Sequence, residues 1–283
     1  MRGKFSGEEL LTLAMLGLLN LLIILSGHMA EAYHYFILNL VLFVVIFLLT
    51  YLPANWQWVR DWYIIIYLLV IFFENGVLVP LVNPNEMDNL LIALDRRLFF
   101  GQDPSLFLGR WVVPPLVEIL QIVYASFYFL PLVFCLLLYV KKEEKRDFHT
   151  SAFLILLGFY LSYLGYYLCP ALGPRFTLEH LQEKPLSGLW SFDYMRGLLA
   201  WMEGKMYDCM PSGHALVSLL TALLARRYFR PFYRISLVWA LIMIFSTVYL
   251  RYHYVWDVII GIALAFVIYS FVPKFEKKDR PVS

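Results

Sequence analysis

Cysteine is scarce in this chain: three residues, Cys135, Cys169 and Cys209, in 283 positions. That is too few for a disulfide scaffold, and the spacing is too wide for a compact zinc site. Charge is scarce as well, at 16% of residues with a net charge of +2, which leaves no basic patch for nucleic acid. Low-complexity tracts, internal repeats and linkers long enough to separate soluble domains are missing too. Apolar residues fill the space, at 61% hydrophobic, with 8 Trp, 20 Tyr and 23 Phe. That composition excludes intrinsic disorder and fits a polytopic membrane protein whose span ends carry amphipathic rings into the headgroup layer.

A helix needs about 20 apolar residues to cross the hydrocarbon layer. Eight runs qualify, near 9–27, 34–52, 61–80, 112–140, 150–168, 213–229, 233–250 and 254–273. The first is long for a signal peptide and lacks a clear cleavage site, so it counts as a span. With both termini inside, 15 of the 23 Lys and Arg residues fall on the inner side, as the positive-inside rule asks. The expected fold is therefore all-α: a helix bundle with about eight spans. Segment 82–110 carries an apolar stripe beside Asp88, Asp95, Arg96 and Arg97, and reads as an interfacial helix. Segment 169–212 is the second long outer connection. Glu118 and Gln121, one turn apart, face either a polar cavity or a neighbouring helix.

Two stretches hold histidines that packing does not account for. In Asp208-Cys209-Met210-Pro211-Ser212-Gly213-His214, Pro and Ser precede a helical run. Such a start exposes backbone N–H groups near Ser212 and Gly213 that suit a phosphate. The plainer reading is an ordinary helix start with a histidine in its first turn. In Arg251-Tyr252-His253-Tyr254-Val255-Trp256-Asp257, a helical path would set His253 and Asp257 on one face. The carboxylate would then orient the ring and leave its other nitrogen as a base or nucleophile. The plainer reading is an interfacial His–Asp pair that satisfies both groups. The topology brings both stretches, and Gly173-Pro174-Arg175, to the same outer side. Arg175 and Arg251 are forked phosphate donors or interfacial anchors.

These residues resemble the type 2 phosphatidic acid phosphatase superfamily. The PSGH of 211–214 is its second motif, and His253 with Asp257 matches the end of the third, within YLRYHYVWDVIIG. That segment and DNLLIALDRRLFFGQDPS look like the branch containing inositol phosphorylceramide synthases and their bacterial relatives. The likeness covers roughly 85–270. Two departures stand out: Ser246-Thr247 replaces the usual Ser-Arg, and the first motif has Leu168 seven residues before Arg175 and Phe176 after it. Arg251 is the expected replacement cation, and Lys205 or another outer cation supplies the other.

The resemblance implies a six-helix catalytic core over 85–273, an N-terminal membrane extension over 1–84 and a basic cytoplasmic tail over 274–283. It also implies that His253 attacks phosphorus to form a phosphohistidine, that Asp257 orients it and that His214 protonates the leaving oxygen. Arg175, Arg251, Lys205, Ser212 and Gly213 bind phosphate; no metal or other cofactor is expected. A catalytic mouth at the outer interface of a bacterial plasma membrane suits a lipid whose tail stays in the bilayer. The leading expectation is hydrolysis of a lipid phosphate or pyrophosphate, and the alternative is head-group transfer to a lipid alcohol. His180 in the outer loop is a substrate-contact candidate. A Cys169–Cys209 bond would tie the Arg175 loop to the PSGH helix, the alternative being two free cysteines. A transporter would place its polar residues near the midplane instead of at one face.

Overall fold

The computed structural model describes residues 5–141 and 145–273. The expected basic tail at 274–283 lies outside them. The described residues form helices and no strand, so the chain is all-α, and its apolar helices make it an integral membrane protein. It divides into two compact units, Met1–Pro84 and Asn85–Ser283.

The first unit holds α1 (Gly7–Ser26), α2 (Met29–Leu49), the short α3 (Gln57–Trp62) and α4 (Ile64–Val82). Ser6 and Glu9 cap α1 reciprocally, at 3.2 Å to the Glu9 N–H and 2.7 Å to the Ser6 N–H. Arg60 then grips both Glu9 oxygens at 2.5 and 2.7 Å. Asn39 donates to Asn20 at 3.2 Å, joining α2 to α1 by a buried polar contact.

The second unit contains α5 (Asp88–Leu98), α6 (Pro104–Leu108), α7 (Pro114–Ala125), α8 (Phe129–Val140), α9 (Lys145–Leu168), α10 (Pro174–Thr177), α11 (Phe192–Glu203), α12 (Gly213–Tyr228), α13 (Arg230–Tyr249) and α14 (Val255–Tyr269). Helix α12 is buried all round, from Gly213 and Ala215 through Leu224 and Ala225, and packs against α8, α9, α13 and α14. A helix surrounded this way is the core of its unit.

Among the described residues, five helices are long and apolar enough to cross a membrane, or six when α7 and α8, bent by 50°, count as one span. Eight runs were expected. The run at 213–229 gives the 16-residue α12 and the run at 254–273 the 15-residue α14. At 1.5 Å per residue each rises less than the ~30 Å hydrocarbon layer. The α7–α8 bend has a local cause. Pro131 has no N–H to offer the Phe127 carbonyl four residues back, and Ser126 Oγ turns to the Val123 carbonyl at 2.6 Å.

Candidate active site

The α12 N-terminus is built by close backbone approach. A Cβ on Gly165 of α9 would collide with the Pro211 ring, and one on Gly261 of α14 would lie 2.5 Å from the Ser212 carbonyl. Ser212 caps the helix, its Oγ accepting from the Ala215 N–H at 3.3 Å, while its own N–H donates to the Asp257 carbonyl at 3.1 Å. The Ser212 N–H is thus committed, while its hydroxyl accepts from Ala215 and keeps a proton to donate. The Gly213 and His214 N–H groups make no hydrogen bond among the described residues and are the anion donors left at this end.

His253 lies before α14, not within it. Its N–H and that of Tyr252 both donate to the Thr247 carbonyl, at 3.0 and 2.9 Å, turning the chain after α13. Tyr254 is extended, and Asp257 sits in the first turn of α14, reaching back to the Tyr254 N–H at 3.1 Å. The pairing thus comes from helix-start geometry, not from two turns of one helix. His253 Nδ1 is 3.3 Å from Asp257 Oδ2 and 3.0 Å from the Cys209 carbonyl. A carbonyl only accepts, so Nδ1 carries the proton and Nε2 presents a lone pair. Burial opposes a charge on His253, but Asp257 and then Asp208 outweigh it and raise its pKa.

His253 Nε2 faces His214 Nδ1 at 3.3 Å. His214 is wedged between Tyr124, stacked at 4.3 Å, and Phe127 of the α7–α8 bend at 4.2 Å. Tyr124 also stacks on Tyr252 at 4.0 Å, and the Tyr252 hydroxyl donates to Gln121 at 3.1 Å.

Cys169 and Cys209 are both free, so the bond between them is not made. The buried Cys209 thiol donates to Asp257 Oδ2 at 2.7 Å, and its backbone N–H ties to the Ala171 carbonyl at 3.2 Å. Of the two alternatives the free cysteines are the one seen, and backbone pairing joins the two segments. Cys209, His253 and Asp257 offer Sγ, nitrogen and oxygen within 4.8 Å of one another, the donor types of a zinc site. Oδ2 already accepts from the other two and from Tyr254, while Asp257 Oδ1 is buried without a hydrogen-bond partner.

Arg175 enters on α10. Gly173 precedes it at φ 92°, a left-handed conformation, and any Cβ there would strike the Tyr252 carbonyl. The Arg175 guanidinium lies over the Phe176 and Tyr252 rings at 4.8 and 5.1 Å and donates to Glu203 at 3.1 Å. Burial, then Asp208, pushes the Glu203 carboxyl up to about 7, and burial also raises Asp208. Arg251, at φ 67°, is buried and donates to the Lys184 carbonyl at 2.8 Å. It lines one cavity with Arg175. Lys205 is exposed, 5.9 Å over the Phe176 ring, and His180 is exposed. Neither is among the residues that line that cavity, although Glu179, next to His180, is.

Several site residues escaped the sequence reading. Asp88 and Asp95, seven apart on one face of α5, are buried. Asp88 accepts the Leu172 and Gly173 N–H groups at 2.9 Å each and the Tyr254 hydroxyl at 2.8 Å. Asp95 accepts from Val255 and Trp256 at 2.9 and 3.0 Å, capping α14, and burial raises it to about 6. Helix α5 thus turns its acids toward the site and positions both the Arg175 loop and the His253 turn. Glu118 likewise accepts from the Leu189 and Ser191 N–H groups at 2.7 and 2.8 Å, fixing the start of α11.

No solved structure matches this chain. A relative in Bacteroides thetaiotaomicron, named phosphoinositol dihydroceramide synthase, is 27% identical over 206 residues, 65% of this chain and 66% of that protein. The chain therefore spans just under two thirds of that relative's length. The profile of the PAP2 superfamily matches residues 89–271, well over half of the chain, with both histidines, Asp257 and Arg175 inside the match, so this protein belongs to the PAP2 superfamily.

Proposed function

We propose that this protein transfers a phosphoryl group from a membrane lipid through a covalent intermediate on His253. The observation that carries the reading is the buried line Asp257–His253–His214, with Nδ1 held by acceptors and Nε2 facing a second histidine. Nε2 attacks phosphorus, the N–P bond forms as the P–O bond to the lipid breaks, and His214 in its imidazolium form protonates the departing oxygen. In the second step neutral His214 takes a proton from the acceptor hydroxyl, whose oxygen displaces His253. Arg175 and the Gly213 and His214 N–H groups stabilise the phosphoryl oxygens, the main demand of such transfers.

An in-line attack puts the nucleophile about 3 Å from phosphorus with the acid hydrogen-bonded to the far oxygen, about 6 to 7 Å between the two nitrogens. The 3.3 Å histidine contact is the resting arrangement, which an entering phosphate parts.

Two acceptors fit this chemistry. Water makes the protein a lipid phosphate or pyrophosphate phosphatase. A lipid alcohol makes it a head-group phosphotransferase, and the relative's name favours this second reading. The apolar helices support a lipid substrate, and in this reading the site faces the outer side of a bacterial plasma membrane. Purified full-length protein would be incubated with labelled phosphatidic acid, isoprenyl pyrophosphate, and phosphatidylinositol plus ceramide, resolving lipid and water-soluble products, with His253→Ala as control. Phosphate release or a new head-group lipid, lost in the variant, supports the reading and names the acceptor. Turnover that persists in His253→Ala rules out the covalent route.

A further inference from the structure

Helix α11 has two faces of opposite kind. Trp190 just before it and Tyr194, Leu198 and Trp201 along it recur every three or four residues and so form one stripe. All four are exposed, the rings of Trp190, Tyr194 and Trp201 at 80%, 75% and 82%. Phe192, Arg196 and Ala200 fall on the opposite face and line a cavity of about 340 Å³ whose other walls include Arg175, Gln182 and Arg251. Glu203, on that same inner face, holds Arg175 at 3.1 Å. The helix is thus one wall of the site, with an apolar back left bare among the described residues.

Packing from within does not hold this helix down. Of its 12 residues only Phe192 and Glu203 are buried, because its inner face fronts an open cavity instead of a core. It is fastened at its ends. Glu118 of α7 accepts the Leu189 and Ser191 N–H groups at 2.7 and 2.8 Å, and Glu203 closes on Arg175.

The anchor on α7 sets the depth. Helix α7 begins at Pro114 and is the first half of the bent apolar pair that passes as one span. Glu118 lies four residues further in, about 6 Å along the helix axis, so α11 starts beside the end of a span and not above it. At that level a Trp or Tyr ring buries its apolar body among acyl chains while its N–H or O–H reaches the headgroups. The stripe carries no charge, so its attraction is to the headgroup layer as such and not to anionic lipid.

We propose that α11 is a lid seated in the headgroup layer of the leaflet that the site faces, with Trp190, Tyr194, Leu198 and Trp201 as its contact and the phospholipid bilayer as its partner. Seating presses the inner face onto the site and keeps Glu203 on Arg175. Tilting about the Glu118 anchor draws Glu203 away and opens the cavity toward lipid. Gly204, at φ 54°, ends the helix at the moving end, in a backbone conformation that few other residues adopt. The inference goes beyond the transfer reading, since it needs neither the covalent intermediate nor a particular acceptor.

The test is tryptophan quenching of the full-length protein in phosphatidylcholine nanodiscs, wild type against Trp190→Phe/Trp201→Phe, whose difference isolates two of the 8 tryptophans. Phosphatidylcholine brominated near the headgroup should quench most of that difference, lipid brominated at the acyl terminus less of it, and aqueous iodide little. Quenching by iodide but not by brominated lipid would put the stripe in water and overturn the proposal. Resistance to both quenchers, with dimers in the nanodisc, would overturn it in favour of a second copy on this face. Hydrogen exchange reads the lid itself: in Trp190→Gln/Trp201→Gln, amides of 192–203 should exchange at least about tenfold faster than in wild type, the worth of one buried ring, with those of 114–125 unchanged as the sign of an intact fold. Equal exchange over 192–203 in the two proteins would overturn the lid.

Discussion

Glu203 occupies the guanidinium that phosphate needs. Its Oε2 lies 3.1 Å from Arg175 Nη1, and burial together with Asp208 lifts its pKa from 4.5 to about 7. With that pKa, the protonated fraction falls from about nine-tenths at pH 6 to about one-tenth at pH 8. If only the neutral acid releases Arg175 to the substrate, KM rises about tenfold between those pH values. Glu203→Gln keeps the shape and a hydrogen-bonding oxygen but removes the charge. The assay is the ratio of wild-type to Glu203→Gln KM across pH 5.5–8.5, in which the substrate's own ionisation cancels. That ratio should climb from near one at pH 5.5 through about ten at pH 8 to about thirty at pH 8.5. The sign for stability is the same: a raised acid holds its proton in the folded state, so its contribution is full below about 4.5 and lost as pH rises through about 7. The melting temperature of Glu203→Gln should therefore gain on the wild type over that window. A flat KM ratio across the whole range would refute the competition between Glu203 and phosphate.

Asp257→Asn should lower kcat by about 10²–10⁴ with a much smaller change in KM, because an amide at this position can stabilise the wrong His253 tautomer; a steady-state series checks it. Cys209→Ala should remove the thiol donor from Asp257 and cost about 1–3 kcal/mol, whereas Cys209→Ser, keeping a donor, should recover most of it, read as melting temperatures and kcat side by side. Asp95→Asn strips charge from the acceptor of two α14 N–H groups and should destabilise by about 1–2 kcal/mol, measured by thermal unfolding, with kcat falling as the His253 turn loosens.

The parts of the site that are linear in the sequence were legible there. His214 lies two residues after a capping serine, and His253 and Asp257 are four residues apart, so both could be found without knowing the fold. The reason offered for the second pair was a shared helical face, whereas the actual cause is a carboxylate in the first turn of α14 reaching back over an extended residue. Ser212 was assigned to phosphate because an isolated helix start leaves its N–H groups open. Tertiary packing closes that one, since α14 comes near enough for the Asp257 carbonyl to take it. From the sequence the acids of α5 read as the charged side of an interfacial helix, beside its apolar stripe. Their spacing of seven with Leu91 between them was the available sign that they point inward, to unpaired N–H groups of other segments. Glu203, Asp208 and Gln182 meet Arg175 and Arg251 only through folding of the long 169–212 connection, where no periodicity marks them. The five long apolar helices, the bent α7–α8 pair and the shorter α12 and α14 fall on the eight apolar runs read from the sequence.

The central claim is a covalent phosphoryl group on His253, and the most direct measurement is to catch it. Full-length protein mixed with a ³²P-labelled lipid substrate and quenched in alkali should carry acid-labile, base-stable label, mapped by mass spectrometry to the peptide containing His253 and abolished in His253→Ala. His214→Asn, which lacks the base for the second step, should hold the label longer than wild type. Label on another residue, or turnover at full rate with no labelled intermediate in either protein, would contradict the account.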